Sequence, residues 1–316
     1  MSPPSHLLPP VAEGIREALV NLGLGAAIEG VTPISGGCIN HGARLDTDSG
    51  RRFFLKWNAD APLNLFAAEA DGLQALSQAA MLRVPTPLAR GGGSGTPAWL
   101  LLEYIAPGSP APDFGTALGR GVALLHRAGG EVFAAKLEGG SYGWAHPNWI
   151  GSLPQINVPA ASWVDFWSRR RIVPQLERSR DSGYFHGDDD RLMDRVVELI
   201  PTALADVDTV PPTLLHGDLW SGNVYADTEG KPVVIDPAVY LGHGEVDLAM
   251  TELFGGFSDD FYEAYAEVGE ITPAYRAYRR DLYQLYYLLV HVNLFGTTYR
   301  GQTLAAAGRV VAELGG

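Results

Sequence analysis

The feature that most restricts the fold is a change of hydrophobic period near residue 104. Before it, short apolar runs are separated by turn residues. IEGV leads through SGGCIN to HGARLDTD, Asp48-Ser49-Gly50 leads into RRFFLKW (51–57), and PAWLLLEYI (97–105) stands between GGGSG and PGSP. Runs of that length bounded by Gly, Asp and Pro read as strands of an antiparallel sheet. Helical spacing in this part is confined to VAEGIREALVNLG (11–23) and LNLFAAEADGLQALSQAA (63–80). Beyond residue 104 it takes over, in FGTALGRGVALLHRAG, WVDFWSRRRIVPQLERS, DRLMDRVVELIPTALADV and the segments from 246 onward. The pattern predicts an α+β chain of two lobes: 1–103, β-rich with one main helix, and 104–316, mainly helical. The cleft between such lobes is the default ligand site.

One run interrupts the helices. In LLHGDLWSGNVYADTEGKPVVID (214–236), VYAD reads as a strand, TEGK as a turn and PVVID as the returning strand. Asn223 precedes the first strand and Asp236 ends the second, so both reach the same end of a hairpin. Asp218 lies five residues before Asn223, in the loop entered from the apolar strand PTLLH. An amide oxygen and a carboxylate suit Mg²⁺, which keeps waters and takes phosphate oxygens as further ligands. A carboxylate outside that pair can accept a proton from an attacking hydroxyl, the division of labour that phosphoryl transfer needs. Any one Asp or Asn here would be an ordinary turn residue. YFHGDDDRLMDRVVELI supplies a control: it holds a second His-Gly-Asp (186–188), but Met193 stands where Asn223 stands in the first, and an amphipathic helix follows. Asp188 to Asp190 therefore read as an exposed helix N-terminus favoured by the macrodipole.

Composition narrows the partners. A net charge of −13, from 23 basic and 36 acidic side chains, repels a phosphate backbone and argues against nucleic acid. A single cysteine excludes an internal disulfide framework and suits a reducing cytoplasm. The start, MSPPSHLLPP, reads as a frayed terminus without a signal peptide, and LYQLYYLLVHVNLF (282–295) is too short and too polar to span a membrane, so it reads as a buried helix. Lys56 is one of only three lysines and lies in FFLKW, where burial without a partner would be costly.

Taken together, HGDLWSGN, VVIDPAVYLGHGEVDLAM and FGGF closely resemble the fructosamine kinases (ketosamine-3-kinases), a branch of the aminoglycoside-phosphotransferase-like fold related to protein kinases. The likeness extends through SGGCIN, FLKWN, LLEYI, NWIGSLPQIN and YQLYYLLVHVNLFG. It implies a two-lobed kinase-like fold with Asp218 as catalytic carboxylate, Asn223 and Asp236 as Mg²⁺ ligands, Lys56 on the ATP phosphates and Glu69 as its helix partner. Gly36, Gly37 and Cys38 take the place of a glycine-rich loop, the glycines letting backbone N–H groups approach phosphate and Cys38 reading as a small packing residue, with a redox-sensitive thiol that blocks nucleotide entry as the alternative. Glu103 and Ile105 occupy the linker that binds adenine through its backbone. Asp236 opens Asp-Pro-Ala where protein kinases have Asp-Phe-Gly, so their aromatic switch is absent.

On the acceptor side, Trp220 is the best candidate to stack on a sugar, and Gln155 and Asn157 match a family segment near the acceptor. Trp144 and Trp149 read as packing residues and His216 as a structural hydrogen-bonder. Asp247 reads as a cap of the following helix that also braces the catalytic loop, while His243 and Glu245 have no assignment. The implied reaction is ATP-dependent phosphorylation of a ketosamine 3-hydroxyl, whose labile product sheds its sugar phosphate and so deglycates the amine. Alternatives are an aminoglycoside- or choline-type kinase, or an inactive binding module on the same fold. Sugar preference and self-association stay open.

Overall fold

The computed structural model describes residues 7–34, 40–62, 64–93 and 95–315. Gly36, Gly37 and Cys38 lie outside the described residues. Helix α1 (Pro9–Asn21) begins on two prolines, whose fixed φ suits a first helical turn. It buries Val11, Ala12, Ile15 and Leu19, a stripe at helical spacing. That stripe packs on one face of a sheet formed by β1 (Ile28–Pro33), β2 (His41–Thr47), β3 (Arg52–Asn58), β4 (Pro87–Gly93) and β5 (Thr96–Glu103). The order is β1-β2-β3-β5-β4, with every pair antiparallel. Helix α2 (Leu65–Ala79) lies between β3 and β4 in sequence.

Because side chains alternate along a strand, Phe53, Leu55 and Trp57 of β3 enter the core under α1 while Phe54 and Lys56 line the opposite face. Burying each large apolar side chain contributes roughly 1.5–3 kcal/mol, so a one-residue slip of β3 would forfeit that core and drive the Lys56 ammonium into the apolar space under α1. Strand β4 was not expected from sequence. Pro87 and the three glycines at 91–93 mask it, and both residue types are tolerated because β4 is an edge strand.

The second lobe contains α3 (Phe114–Ala134), a hairpin of β6 (Asn148–Ile150) and β7 (Leu153–Gln155), and α4 (Trp163–Phe166), which runs through a π-helical turn (Trp167–Ile172) into α5 (Val173–Asp181). Next come α6 (Asp188–Leu204), β8 (Thr213–Leu215), the hairpin β9 (Val224–Ala226) and β10 (Pro232–Val234), and β11 (Tyr240–Gly242). Helices α7 (Glu245–Leu253), α8 (Asp259–Ala266), α9 (Arg280–Phe295) and α10 (Arg300–Leu314) complete it. The strand, turn and strand expected over 224–236 are present, with Asp236 just past β10. Strand β8 falls on PTLLH, as expected, while its partner β11 and the pair β6/β7 are additional; three-residue strands are too short to carry a period.

Helix α9 is the spine of this lobe, buried from Asp281 to Val290. Among the described residues no helix is long and apolar enough to cross a membrane. Between the lobes lies a cleft of about 1090 Å³, lined by Phe54, Lys56 and Leu102 on one side and by Asp218, Asn223 and Asp236 on the other.

Candidate active site

The loop after β8 is built around a buried carboxylate. Asp247 Oδ2 accepts from the His216 backbone N–H at 2.8 Å and Oδ1 from that of Gly217 at 2.9 Å, while His126 Nε2 lies 3.1 Å from Oδ2. Burial pushes the Asp247 carboxyl up, but the hydrogen bonds it accepts, those from His126 and Gly217 among them, outweigh it and hold the pKa below the usual range. The helix-cap reading of Asp247 is corrected: Gly244 occupies the cap, and Asp247, in the first turn of α7, faces the loop. The brace is present.

His216 uses both ring nitrogens. Nε2–H donates to the Ile235 carbonyl at 2.9 Å and Nδ1 accepts from the Asp218 N–H at 3.2 Å, which fixes a neutral tautomer. Burial lowers its pKa, in keeping with that assignment. Its role is to aim Asp218 from below and to tie the loop to the strand that ends in Asp236.

Asn223 donates Nδ2–H to the Asp218 carbonyl (2.9 Å) and to Asp218 Oδ2 (3.1 Å), and its own carbonyl accepts from Ile235 N–H (3.0 Å). Asp218 is half-buried. Burial and the negative charge of Asp236 push its pKa up to about 7, against the Asn223 hydrogen bond. A carboxylate poised near neutrality suits a group that must take a proton and return it.

Across the cleft, Lys56 Nζ lies 2.7 Å from Glu69 Oε1 on α2 and 2.7 Å from Asp236 Oδ1. Burial alone would lower the lysine pKa, but the Asp236 and Glu69 carboxylates raise it, so the ammonium stays charged. Burial likewise pushes Glu69 up, against the pull of Lys56. Helix α2 is held in this position by a hydrogen bond from Trp144 Nε1 to Asp71 Oδ2 (2.7 Å) and by Gly72, whose missing side chain admits Pro237 and Val239.

The donor set fits a magnesium nucleotide. The Asn223 amide nitrogen is committed to Asp218, which leaves its oxygen for a ligand, and Asp236 is partly open with Oδ1 on Lys56. Among the described residues no cluster of three His, Cys, Asp or Glu forms a cage. A cation held here thus needs water and phosphate oxygens to complete its shell, as Mg²⁺ prefers. Glu103 and Ile105 line the cleft at the inter-lobe connection. The Glu103 carboxylate is tied to Arg83 and Thr86, and the Ile105 carbonyl accepts from Tyr225 of β9 (3.1 Å).

On the acceptor side the structure brings Trp220 into the cleft, its ring edge-on to Phe254 at 6.2 Å. Phe254, His291 and Tyr299 extend this wall, with His291 centred 4.9 Å from Phe254 and 4.8 Å from Tyr299. These three escaped the sequence reading although FGGF and HVNLFG carry two of them, because their roles appear only when α7 and α9 meet. Trp149, read as packing, also lines the cleft. Gln155 and Asn157 do not. Both are buried at 1% exposure, and their amides are consumed by Asn148, Ala238, Tyr286, His146 and Arg171. Their assignment to the sugar is therefore corrected: a polar segment in sequence is a buried network in space.

A sheet lobe and a helical lobe facing each other across a cleft, with Lys56 on one wall and Asp218 and Asp236 on the other, define a small-molecule phosphotransferase of protein-kinase-like fold. The same architecture occurs in a solved aminoglycoside phosphotransferase, with TM-score 0.57 and 16% identity, covering 96% of this chain and 98% of that one. The sequence model of the family described as fructosamine kinase matches residues 13–313. A probable ketoamine kinase of Synechocystis sp. is 40% identical over 270 residues, 85% of this chain and 86% of its own length. The protein-ribulosamine 3-kinase, chloroplastic, of Oryza sativa subsp. indica is 39% identical over 92% of this chain and 81% of its own. The crystal structure of a fructosamine-3-kinase candidate from Haemophilus somnus superposes with TM-score 0.81 at 27% identity, covering 95% and 97% of the two chains. The chain belongs to the fructosamine kinase family.

Proposed function

We propose that the protein transfers the γ-phosphoryl group of ATP to the 3-hydroxyl of a ketosamine. The observation that carries this reading is the Asp218, Asn223 and Asp236 group facing the Lys56–Glu69 pair across one cleft, in a chain whose relatives are ketoamine and ribulosamine kinases. Lys56 binds the phosphates as a fixed ammonium. Asp218 accepts the proton of the substrate hydroxyl as that oxygen forms its bond to the γ-phosphorus and the bond to the ADP oxygen breaks. Mg²⁺ held by Asn223 and Asp236 would neutralise charge on the phosphate oxygens. By the family resemblance Glu103 and Ile105 receive adenine and backbone N–H groups at Gly36 and Gly37 meet the phosphates, while the Trp220 wall takes the acceptor. The enaminol form of the product expels phosphate from its C3, hydrolysis of the resulting imine frees the amine, and the single cysteine suits a reducing cytoplasm as the place of work.

The test is ADP release over fructose-, ribulose- and erythrulose-amines beside an aminoglycoside panel, with Asp218→Asn as control. Turnover of ketosamines in wild type alone is the expected result. Preference for aminoglycosides would move the assignment to that class, and no turnover of either panel would favour a binding module.

A further inference from the structure

The segment NWIGSLPQIN contributes Asn148, Trp149, Ile150 and Gly151 to the cleft wall, yet its most polar members, Gln155 and Asn157, face away from it. Where their hydrogen bonds end is informative. Gln155 Nε2 donates to the Ala238 carbonyl at 3.0 Å, and Asn148 Nδ2 donates to the Val239 carbonyl at 2.8 Å. These carbonyls lie two and three residues beyond Asp236. We propose that Gln155, Asn148, Asn157 and Arg171 form a positioning scaffold that aims Asp236 at the nucleotide-bound cation; this rests on the kinase reading above.

Asp236 needs such a scaffold. Its φ is +56°, a left-handed conformation that a residue with a Cβ adopts only when its surroundings over-determine it. On the upstream side, Ile235 is held through its N–H by Asn223 and through its carbonyl by His216. Downstream, Ala238 N–H donates to the His216 carbonyl, and the two amides above hold the next carbonyls. The turn is thereby gripped on both sides of the carboxylate.

Arg171 sets the sense of the network. It is fully buried and makes no ion pair among the described residues. Its guanidinium lies 3.9 Å from the Tyr240 ring centre and 4.5 Å from that of Phe166, and Nη1 donates to the Ile156 carbonyl at 2.6 Å. Nη2 donates to Asn157 Oδ1 at 2.8 Å, so a cation obliges that amide to face it with oxygen. Asn157 Nδ2 then points to Asn148 Oδ1 (2.7 Å), which turns Asn148 Nδ2 toward Val239. Gln155 is locked in the same sense, donating to Asn148 Oδ1 (2.8 Å) while its oxygen accepts from Tyr286 (2.8 Å). Packing alone would favour an apolar residue at 171, because a buried charge is costly. The π-helical turn that contains Arg171 delivers it to this point, and such turns often mark functional positions.

The discriminating variant is Asn157→Asp. It offers Arg171 a counterion, which preserves the fold, but removes the donor to Asn148 and so breaks the relay. Gln155→Met removes the grip on Ala238 without adding charge. The readout is the affinity of a fluorescent ADP analogue with and without Mg²⁺, together with melting in the absence of ligands. Wild type should bind more tightly with Mg²⁺. Each variant should lose at least about fivefold of that gain, with metal-free ADP affinity within about twofold of wild type. An unchanged gain in both folded variants, or loss of cooperative melting in both, would overturn the scaffold in favour of a plain core role. A wild type indifferent to Mg²⁺ would instead overturn the metal reading beneath it.

Discussion

The chain writes His-Gly-Asp twice, and the two copies come to opposite ends. At 216–218 the imidazole is buried, Gly217 has φ +82°, and the aspartate is drawn into a network with Asn223. At 186–188 the imidazole is exposed, Gly187 has φ +63°, and Asp188 opens α6, paired on the surface with Arg191. Both glycines share a positive φ. The difference is what lies around them. A Cβ on Gly217 would meet the Ala238 carbonyl oxygen at 2.1 Å, whereas one on Gly187 would meet nothing within 4 Å. A tripeptide becomes a site only when a second strand, a buried carboxylate and a fifth-position amide converge on it.

The comparison can be broken most severely at the glycines. Gly217→Ala combines the wrong φ with a backbone clash and should cost more than about 4 kcal/mol, whereas Gly187→Ala should cost about 1–2 kcal/mol from φ alone. Urea denaturation of both proteins measures the difference, and near-equal losses would deny the close approach. Next in size are the aspartates. Asp218→Asn should lower kcat by about 10²–10⁴-fold in the ADP-release assay with little change in melting, while Asp188→Asn should leave kcat unchanged.

The brace comes third. Asp247→Ala strands the N–H groups of His216 and Gly217 in the core and should cost about 3 kcal/mol, against under about 0.5 kcal/mol for Asp188→Ala, again by urea melts. Acid sensitivity is the mildest effect. Burial lowers the pKa of His216, and it lowers His243, with help from the Arg279 charge, to about 3. The unfolded state therefore takes up protons that the folded state does not, so stability is full above the ordinary histidine value near 6.5 and falls as pH drops below it. His243 contributes about 1.4 kcal/mol per pH unit below that value. Asp218, whose folded pKa of about 7 lies in the same window, and Glu69 and Glu245, which burial raises, act in the opposite sense. Melting temperatures at pH 7.5 and 5.5 therefore isolate the histidine by difference: relative to wild type, the change on acidification should shift toward stabilisation in His243→Gln and be unaltered in His186→Gln.

How much was legible follows from how far each signal travels along the chain. Lys56 was legible because a rare lysine in an apolar strand needs a partner, and its partners are Glu69 and Asp236. The hairpin carrying Asn223 and Asp236 was legible because turn residues and alternating strands are local. Gln155 and Asn157 were misread because a polar loop facing a sugar and a polar loop facing a buried arginine have the same composition. His291 went unread because a histidine on an apolar helix declares nothing until Phe254 and Tyr299 stand beside it.

By itself, then, the sequence determined the mixed α+β class, the hairpin between Asn223 and Asp236, and the kind of chemistry those oxygens can support, since period, turns and donor type are properties of contiguous residues. Tertiary structure alone decided which backbone N–H groups Asp247 would grip, that Asp236 would turn left-handed, and that Arg171 would hide behind the cleft wall. Those outcomes depend on burial and on partners tens of residues away, where a hydrogen bond left unmade costs more than any local preference can repay.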